Sequence, residues 1–346
     1  MLPMNPSFTV IGENIHTTRV LMRKGKRIGE DSNGNESVLY RDTEGNVAYM
    51  VIPESSKETQ VYKEGRVKHF MIAVSKGISS DDEDIDQGKK YIKAEISRQE
   101  RFGSHFLDLN VDEISYKIDV QKKAMKWLVE YYCSVAKVPP SIDSSNIDII
   151  KSGLEIYSFS DQPQGPPLVN SASLERLEVL DLVKFYGAGV VVTASGSDNM
   201  PSDSESRCEN ASRMVDECDQ RQISRENIHI DPLLFPISVD QSFGNHYLEA
   251  VKILRNQFGD AINITGGLSN VSFGLPARRL INDTYIRLAI DAGVDSGIIN
   301  PVESRIDRIM TLDMKSEKVR ITKDMLLGRD EFCMNFISSF REGKLK

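Results

Sequence analysis

Short apolar runs of strand length recur eight times along this chain, and segments with helical periodicity separate them. The runs are Phe8–Ile11, Phe106–Leu109, Pro140–Ile142, Leu168–Val169, Val190–Val192, Ile228–Ile230, Ala261–Ile264 and Gly297–Ile299. Between them, residues 118–135 set Ile118, Met125, Leu128, Val129 and Tyr132 at three/four spacing. Residues 173–187 open with Ser173 and early acids and end at Gly187. Residues 204–220, 246–258 and 278–292 carry further apolar stripes of the same period. A strand that must reach a parallel neighbour needs a crossover, usually a helix. Eightfold strand–helix alternation therefore predicts an α/β chain folded as a (β/α)8 TIM barrel over residues 1–346, with an open doubly wound sheet as the rival.

Residues 17–85 break the alternation. VLYRDT and VAYMVIP flank Glu44-Gly45-Asn46, which reads as a hairpin turn, and VYKEG with VKHFMIAV reads as a second strand pair. A structureless loop of this length is uncommon, so the segment is expected to be a β-rich insertion after the first strand. The acidic run Asp81–Asp84 marks its solvated exit or the front of the next helix, where negative charge is favourable.

Composition removes several function classes. Lys+Arg number 43 against 51 Asp+Glu, a net charge of −8, which argues against a nucleic-acid partner. No apolar stretch approaches the roughly 18 residues of a membrane span. The opening MLPMNPSFTVIGEN lacks the basic and apolar regions of a secretory signal. Cys133, Cys208, Cys218 and Cys333 are too sparse for a disulfide scaffold and lack zinc-ligand spacing, so reduced thiols in a cytoplasmic protein without a metal are expected. The five histidines read as ordinary surface or core residues.

In such a barrel the chemistry sits where strands end. Those ends supply Glu13-Asn14, Asp108 and Asn110, Asp143, Asn170, Thr193, Asp231, the Gly266–Asn270 turn, and Asn300. Asp, Asn and Ser are also good caps for the helix that follows each strand, and capping alone accounts for many of them. It does not account for Asp108 and Asn110, which share one face of a strand. Carboxylates and amides without a nucleophile or metal set suit a planar heterocycle rich in N–H and C=O groups, such as a pterin or a guanine-like ring. A two-carboxylate glycosidase stays open as an alternative.

The motifs IGEN (11–14), LDLNV (107–111), IDSSN (142–146), VNSAS (169–173), HIDPL (229–233), GGLSNVSFGLPARRLIN (266–282) and GIINP (297–301) lie in order at the strand ends. Together they resemble the pterin-binding barrels, and within them the methyltetrahydrofolate–corrinoid protein methyltransferases, over about residues 8–16 and 86–310. The resemblance implies transfer of methyl between N5 of (methyl)tetrahydrofolate and the cobalt of cobalamin carried by a partner corrinoid protein. It implies that Asp143, Asn170 and Asp231 hydrogen-bond the pterin and that Asp108 and Asn110 support the pocket. Asn270 would be the catalytic residue near N5, and Arg278 would belong to the substrate side. Glu13 matches the acid of the family's GER motif, whereas Asn14 stands where many members have arginine, so that arginine's role is lost or moved. A homodimer is expected.

Methyl transfer from a tertiary amine needs positive character at N5, and an amide such as Asn270 can reorient to donate or accept there. The nearest alternative is a dihydropteroate synthase-like enzyme. However, Thr265-Gly266-Gly267 and Asn300-Pro301-Val302-Glu303 stand where that family places its basic residues. A catalytically silent module binding pterin or a corrinoid protein is the other alternative. The insertion holds Arg19, Arg23, Lys24, Lys26 and Arg27 close together. They read either as solvated surface or as a basic patch for the folate's glutamate tail or an acidic face of the corrinoid protein. The direction of methyl transfer is not readable from the residues.

Overall fold

The structure, a computed structural model, describes residues 8–160, 164–197 and 199–345. Eight strands form one sheet: β1 (Thr9–His16), β2 (Phe106–Asn110), β3 (Pro140–Asp143), β4 (Leu168–Ala172), β5 (Gly189–Thr193), β6 (Ile228–Asp231), β7 (Asn263–Ile264) and β8 (Ser296–Ile299). Their pairing order is β7-β6-β5-β4-β3-β2-β1-β8. The two end strands also meet, because Gly267 bridges Ile298 in parallel and the Ile298 N–H donates to Gly266 O at 2.9 Å. The order follows the chain and closes on itself, which is the topology of a (β/α)8 TIM barrel and excludes the doubly wound sheet.

The crossover helices are α1 (Asp82–Arg101), α2 (Ile118–Val135), α3 (Ile147–Ser158), α4 (Glu178–Tyr186), α5 (Ser204–Gln220), α6 (Phe243–Phe258) and α7 (Arg278–Ala292), and α8 (Glu317–Leu326) follows the last strand. Their starts follow from local chemistry. The Asp81 carboxylate accepts from the Asp84 N–H, and Asp82, Glu83 and Asp84 fill the positive first turn of α1. The acidic run is thus the front of a helix. Asn146 caps α3 by accepting from the Asp148 N–H at 2.8 Å. In α2 the spaced apolar residues Met125, Leu128, Val129 and Tyr132 are all buried. The fourth helix is shorter than its periodicity suggests. Its turn at Ser173–Arg176 stays outside regular helix, and α4 begins at Glu178.

The chain forms two compact units: Gly12–Asn170, and residues up to Ile11 with those from Ser171 on. Strands β1 and β4 run through both. The unit of residues 12–170 contains the insertion. Its first part is an antiparallel three-stranded sheet of Ile28–Glu30, Glu36–Arg41 and Val47–Val51. The two turns of that sheet are copies of one design, Asp-x-x-Gly-Asn. Asp31 Oδ1 accepts from the Asn33 and Asn35 N–H groups, and Asp42 Oδ1 from those of Glu44 and Asn46. Gly34 and Gly45 stand at φ +82° and +92°, the left-handed conformation that glycine adopts without penalty.

The expected second strand pair is not there. Residues 60–63 form a helical turn capped by Thr59, and His69–Gly77 is a helix, so only Arg66–Val67 remains extended, paired with Leu21–Met22. In His69–Gly77 the buried Phe70, Ala73, Val74 and Gly77 recur at three/four spacing, and the helix packs on α1. A helical partner thus overrides the β-propensity of the apolar run. Arg27 ties the sheet to α1, donating to Tyr91 Oη at 2.7 Å and to Glu95 at 3.1 Å. Tyr91 Oη in turn lies 2.6 Å from His69 Nδ1.

Candidate active site at the strand ends

In the unit of residues 12–170, β2, β3 and β4 bring four of the expected residues together. Parallel register sets Asn110 beside Asp143 and Asp143 beside Asn170. Asp108 is buried, and its Oδ1 accepts from Ser141 Oγ at 2.6 Å and from Asn170 Nδ2 at 3.3 Å. Asn110 Nδ2 donates to Asp143 Oδ2 at 2.9 Å, while Asn110 Oδ1 accepts from the Asp112 N–H at 3.0 Å. These are cross-strand bonds between polar side chains, and helix capping does not produce them. Capping does explain Asn146, and a local turn explains Asn300, whose Oδ1 accepts from the Val302 N–H at 3.1 Å.

Two carboxyls in this cluster influence one another. Burial, reinforced by the charge of Asp143, holds the Asp108 carboxyl well above the usual carboxylate range. The shift favours the protonated form of Asp108. The charge on Asp143 faces Asn110 and also His16 Nε2, 3.5 Å away on β1. Thr18 donates its N–H to His16 Nδ1 at 3.2 Å, so in the neutral ring the hydrogen sits on Nε2 and points at Asp143. Sequence reasoning passed over His16 because nothing in its local context separates it from the other four histidines. Its one signal is position, at the end of the first strand.

Glu13 is engaged by Arg19, whose Nη2 lies 2.6 Å from Glu13 Oε1 and whose Nε and Nη2 also donate to the Glu13 carbonyl. The acid thus has an arginine partner from position 19 rather than 14. The basic run of the insertion is largely spent on such pairs. Arg23 bonds Glu36 at 2.9 Å and lies over the Tyr62 ring, and Arg27 is bound to Tyr91 and Glu95. A free patch of five cations is not present.

In the unit that includes residues 171–345, the remaining candidates are seated at turns that follow the strands. Asp231, at the end of β6, is buried, and its Oδ1 accepts from the Leu233 N–H at 2.8 Å. Burial pushes its carboxyl up to about 6, opposed by the Leu233 and Gly267 amides and by the charge of Arg207. Asn270 lies on the 3-10 turn Leu268–Ser272 after β7. The turn is fitted closely, because a Cβ on Gly267 would stand 2.9 Å from Asn270 Nδ2. Arg278 opens α7 and is turned back onto this segment, donating to Ser272 Oγ at 2.9 Å and Ser269 O at 3.1 Å over the Phe273 ring. In this structure it braces the turn that carries Asn270.

Two more residues of this unit escaped the sequence. Arg207 is fully buried, a state that its position on a polar helix does not advertise. Thr265 Oγ1 is buried with no hydrogen-bond partner among the described residues, directly after β7. No group of three or more metal-ligating side chains occurs among the described residues, and none of their helices is long and apolar enough to cross a membrane. The four cysteines are unpaired and buried, and burial pushes the Cys208 thiol to about 11 and that of Cys218 to about 12.

Residues 79–300 match the model of the pterin-binding enzyme family. The methylcorrinoid:tetrahydrofolate methyltransferase of Eubacterium limosum is 28% identical over 75% of this chain and 90% of its own length. Methionine synthase of Mycobacterium leprae is 29% identical over 58% of this chain, a match that spans only 17% of that much longer protein. Among solved structures, dihydropteroate synthase from Stenotrophomonas maltophilia superposes with a TM-score of 0.53 at 14% identity, covering 65% of this chain and 86% of that one.

Proposed function

From the premise that this chain belongs to the pterin-binding enzyme family, we propose that it transfers methyl between N5 of tetrahydrofolate and the cobalt of a corrinoid carried by a partner protein. The observation that carries the reading is the cross-strand set Asp108, Asn110, Asp143 and Asn170, a fixed array of acceptors and amides suited to an amino-pyrimidinone edge. The similarity to a methylcorrinoid:tetrahydrofolate methyltransferase supports the corrinoid half.

On this reading Asp143 and Asp231 accept N–H groups of the pterin, and Asn170 supplies both a donor and an acceptor. Each carboxylate keeps acceptor capacity, since two oxygens offer about four lone-pair sites. Asp108 and Asn110 hold Asp143 in place. Glu13 with Arg19 shapes the end of β1, and Arg278 steadies the turn of Asn270.

The transferred group leaves N5 as its bond to carbon breaks and the bond to cobalt forms, the electron pair for the new bond coming from Co(I). The nitrogen retains its own pair and needs a proton or a hydrogen-bond donor as charge develops. Asn270 serves that need as the catalytic residue, because its amide can turn either face to N5. In the opposite direction the same atoms run backwards and N5 of tetrahydrofolate surrenders its proton. The remaining contacts fix the pterin so that methyl and cobalt line up. We further propose a cytoplasmic homodimer whose corrinoid partner approaches the C-terminal ends of the strands.

The test mixes the protein with methyltetrahydrofolate and a reduced corrinoid protein and follows the Co(I) absorbance. Loss of Co(I) with formation of tetrahydrofolate is expected. Tight folate binding without turnover would leave a binding module instead.

A further inference from the structure

Arg207 is the least expected residue of the molecule, a guanidinium with no exposed surface on α5. Among the described residues it forms no ion pair. Its Nη1 donates to Asp203 O at 2.7 Å and its Nε to Leu233 O at 3.3 Å, while Nη2 has no partner. The group lies against a pair of mutually packed aromatic rings, 5.3 Å from Phe235 and 6.0 Å from Phe243. A buried, unpaired cation is costly to a fold and needs a reason.

The reason lies in what its carbonyl partner does next. Leu233 accepts from Arg207 through its oxygen and donates through its nitrogen to Asp231 Oδ1 at 2.8 Å. Leu233 itself stands at φ +65°, a conformation that a γ-branched side chain adopts only when held. We infer that Arg207 is the positioning residue of the β6 end, bracing the strained Leu233 turn that aims Asp231 and supplying the positive charge that keeps Asp231 an acceptor. The inference rests on the proposed pterin site only for what Asp231 then binds.

Among the described residues, the groups that act on Asp231 are few. Arg207 comes from α5 and Tyr247 from α6, and the amides of Leu233 and Gly267 complete the set. Tyr247 donates its hydroxyl to Thr265 O at 2.7 Å and stays neutral, its ionisation pushed well up by burial. Among the described residues Arg207 is thus the one cation that acts on this carboxylate, and the Asp231 titration is the property that a purely space-filling arginine would leave alone.

The experiment reads that titration directly. Protein labelled with 13C at the aspartate carboxyls is titrated by NMR, with the Asp231 signal assigned by its absence in Asp231→Asn. Arg207→Met keeps an apolar stem against the ring pair and removes the charge. Arg207→Gln removes the charge while retaining an N–H donor, and serves if the methionine variant does not fold. Arg207→Lys retains the charge. The neutral variants are expected to raise the Asp231 midpoint by about one pH unit, with the lysine variant close to wild type. Methyltetrahydrofolate affinity at pH 7 should fall about twofold in the neutral variants, fall further at pH 6, and recover as pH rises. In an Asp231→Asn background the same substitutions should leave the pH dependence flat. A folded neutral variant with an unchanged Asp231 midpoint overturns the inference. A raised midpoint in a protein that binds no folate would uphold it and overturn the proposed function.

Discussion

The two units hold their acids in different ways. Between residues 12 and 170, Asp108, Asn110, Asp143 and Asn170 satisfy one another across adjacent strands, and the pattern is fixed by sheet register. Beyond residue 171, Asp231 and Asn270 are set by turns, through backbone amides, a strained leucine, a close-fitting glycine and a buried arginine. A side-chain network survives small movements because its members move with their strands. A carboxylate aimed by a turn moves whenever the turn does. The first arrangement suits recognition of a rigid ring, and the second suits a step in which the ligand's charge changes.

The largest test of that contrast is Asn270→Ala. Methyl transfer should slow by roughly 10²–10³, the cost of one well-placed transition-state hydrogen bond, while folate affinity barely changes. Single-turnover kinetics beside calorimetry separates the two, and wild-type turnover would remove Asn270 from the chemistry.

Asp143→Ala and Asp231→Ala come next. Each should weaken folate binding by about 1–3 kcal/mol, because pterin N–H groups lose their acceptor. Asp143→Ala should be the worse of the two, since it also strands Asn110 Nδ2. Equal calorimetric losses would erase the distinction between network and turn.

The third concerns stability against pH. Asp231 titrates near 6 in the folded protein, above its ordinary value of 3.8. Between those values the folded state binds more proton than the unfolded chain, so stability falls as pH rises from about 4 to about 6. Above 6 the whole cost of the buried charge is present, on the order of 3 kcal/mol. Asp231→Asn should therefore be more stable than wild type at pH 7, and the gain should vanish near pH 4. Urea unfolding at both pH values reads this, and a gain independent of pH would contradict it.

The smallest effect comes from a matched pair of hydroxyls. Ser141→Ala removes a donor from Asp108 and should cost about 1 kcal/mol. Thr265→Val deletes a buried hydroxyl that has no partner and should cost nothing, or stabilise by a few tenths of a kcal/mol. A Thr265→Val variant that keeps its stability but loses folate affinity would mark Thr265 as a ligand contact.

Most of the barrel was legible because parallel strands buried on both faces read as apolar runs, and α2, α5 and α7 kept their expected bounds. The cross-strand pairing of Asn110 with Asp143 was foreseeable once the strands were aligned, since both residues end their strands. The helix His69–Gly77 was not, because its apolar run fits either period until the partner is known. His16 and Arg207 were invisible for another reason. What distinguishes them is a neighbour distant in sequence, Asp143 for one and Leu233 for the other.

The shortest strand has a consequence for motion. β7 offers only Asn263 and Ile264, so the ring of staves is fastened there by Ile264 against Asp295 and Ser296 and by the backbone of Gly266 and Gly267 against β8. A ring breathes first at its narrowest stave. The amide hydrogens of Thr265 and Ile298 should exchange with solvent sooner than those of Val191 or Ile230, deep in the β5–β6 pair. Asn270 rides the turn that leaves this fastening, so each opening carries its amide off target. A pterin gripped by that turn should hold the stave shut and slow exchange at Ile298, a protection signal readable before any methyl group has moved.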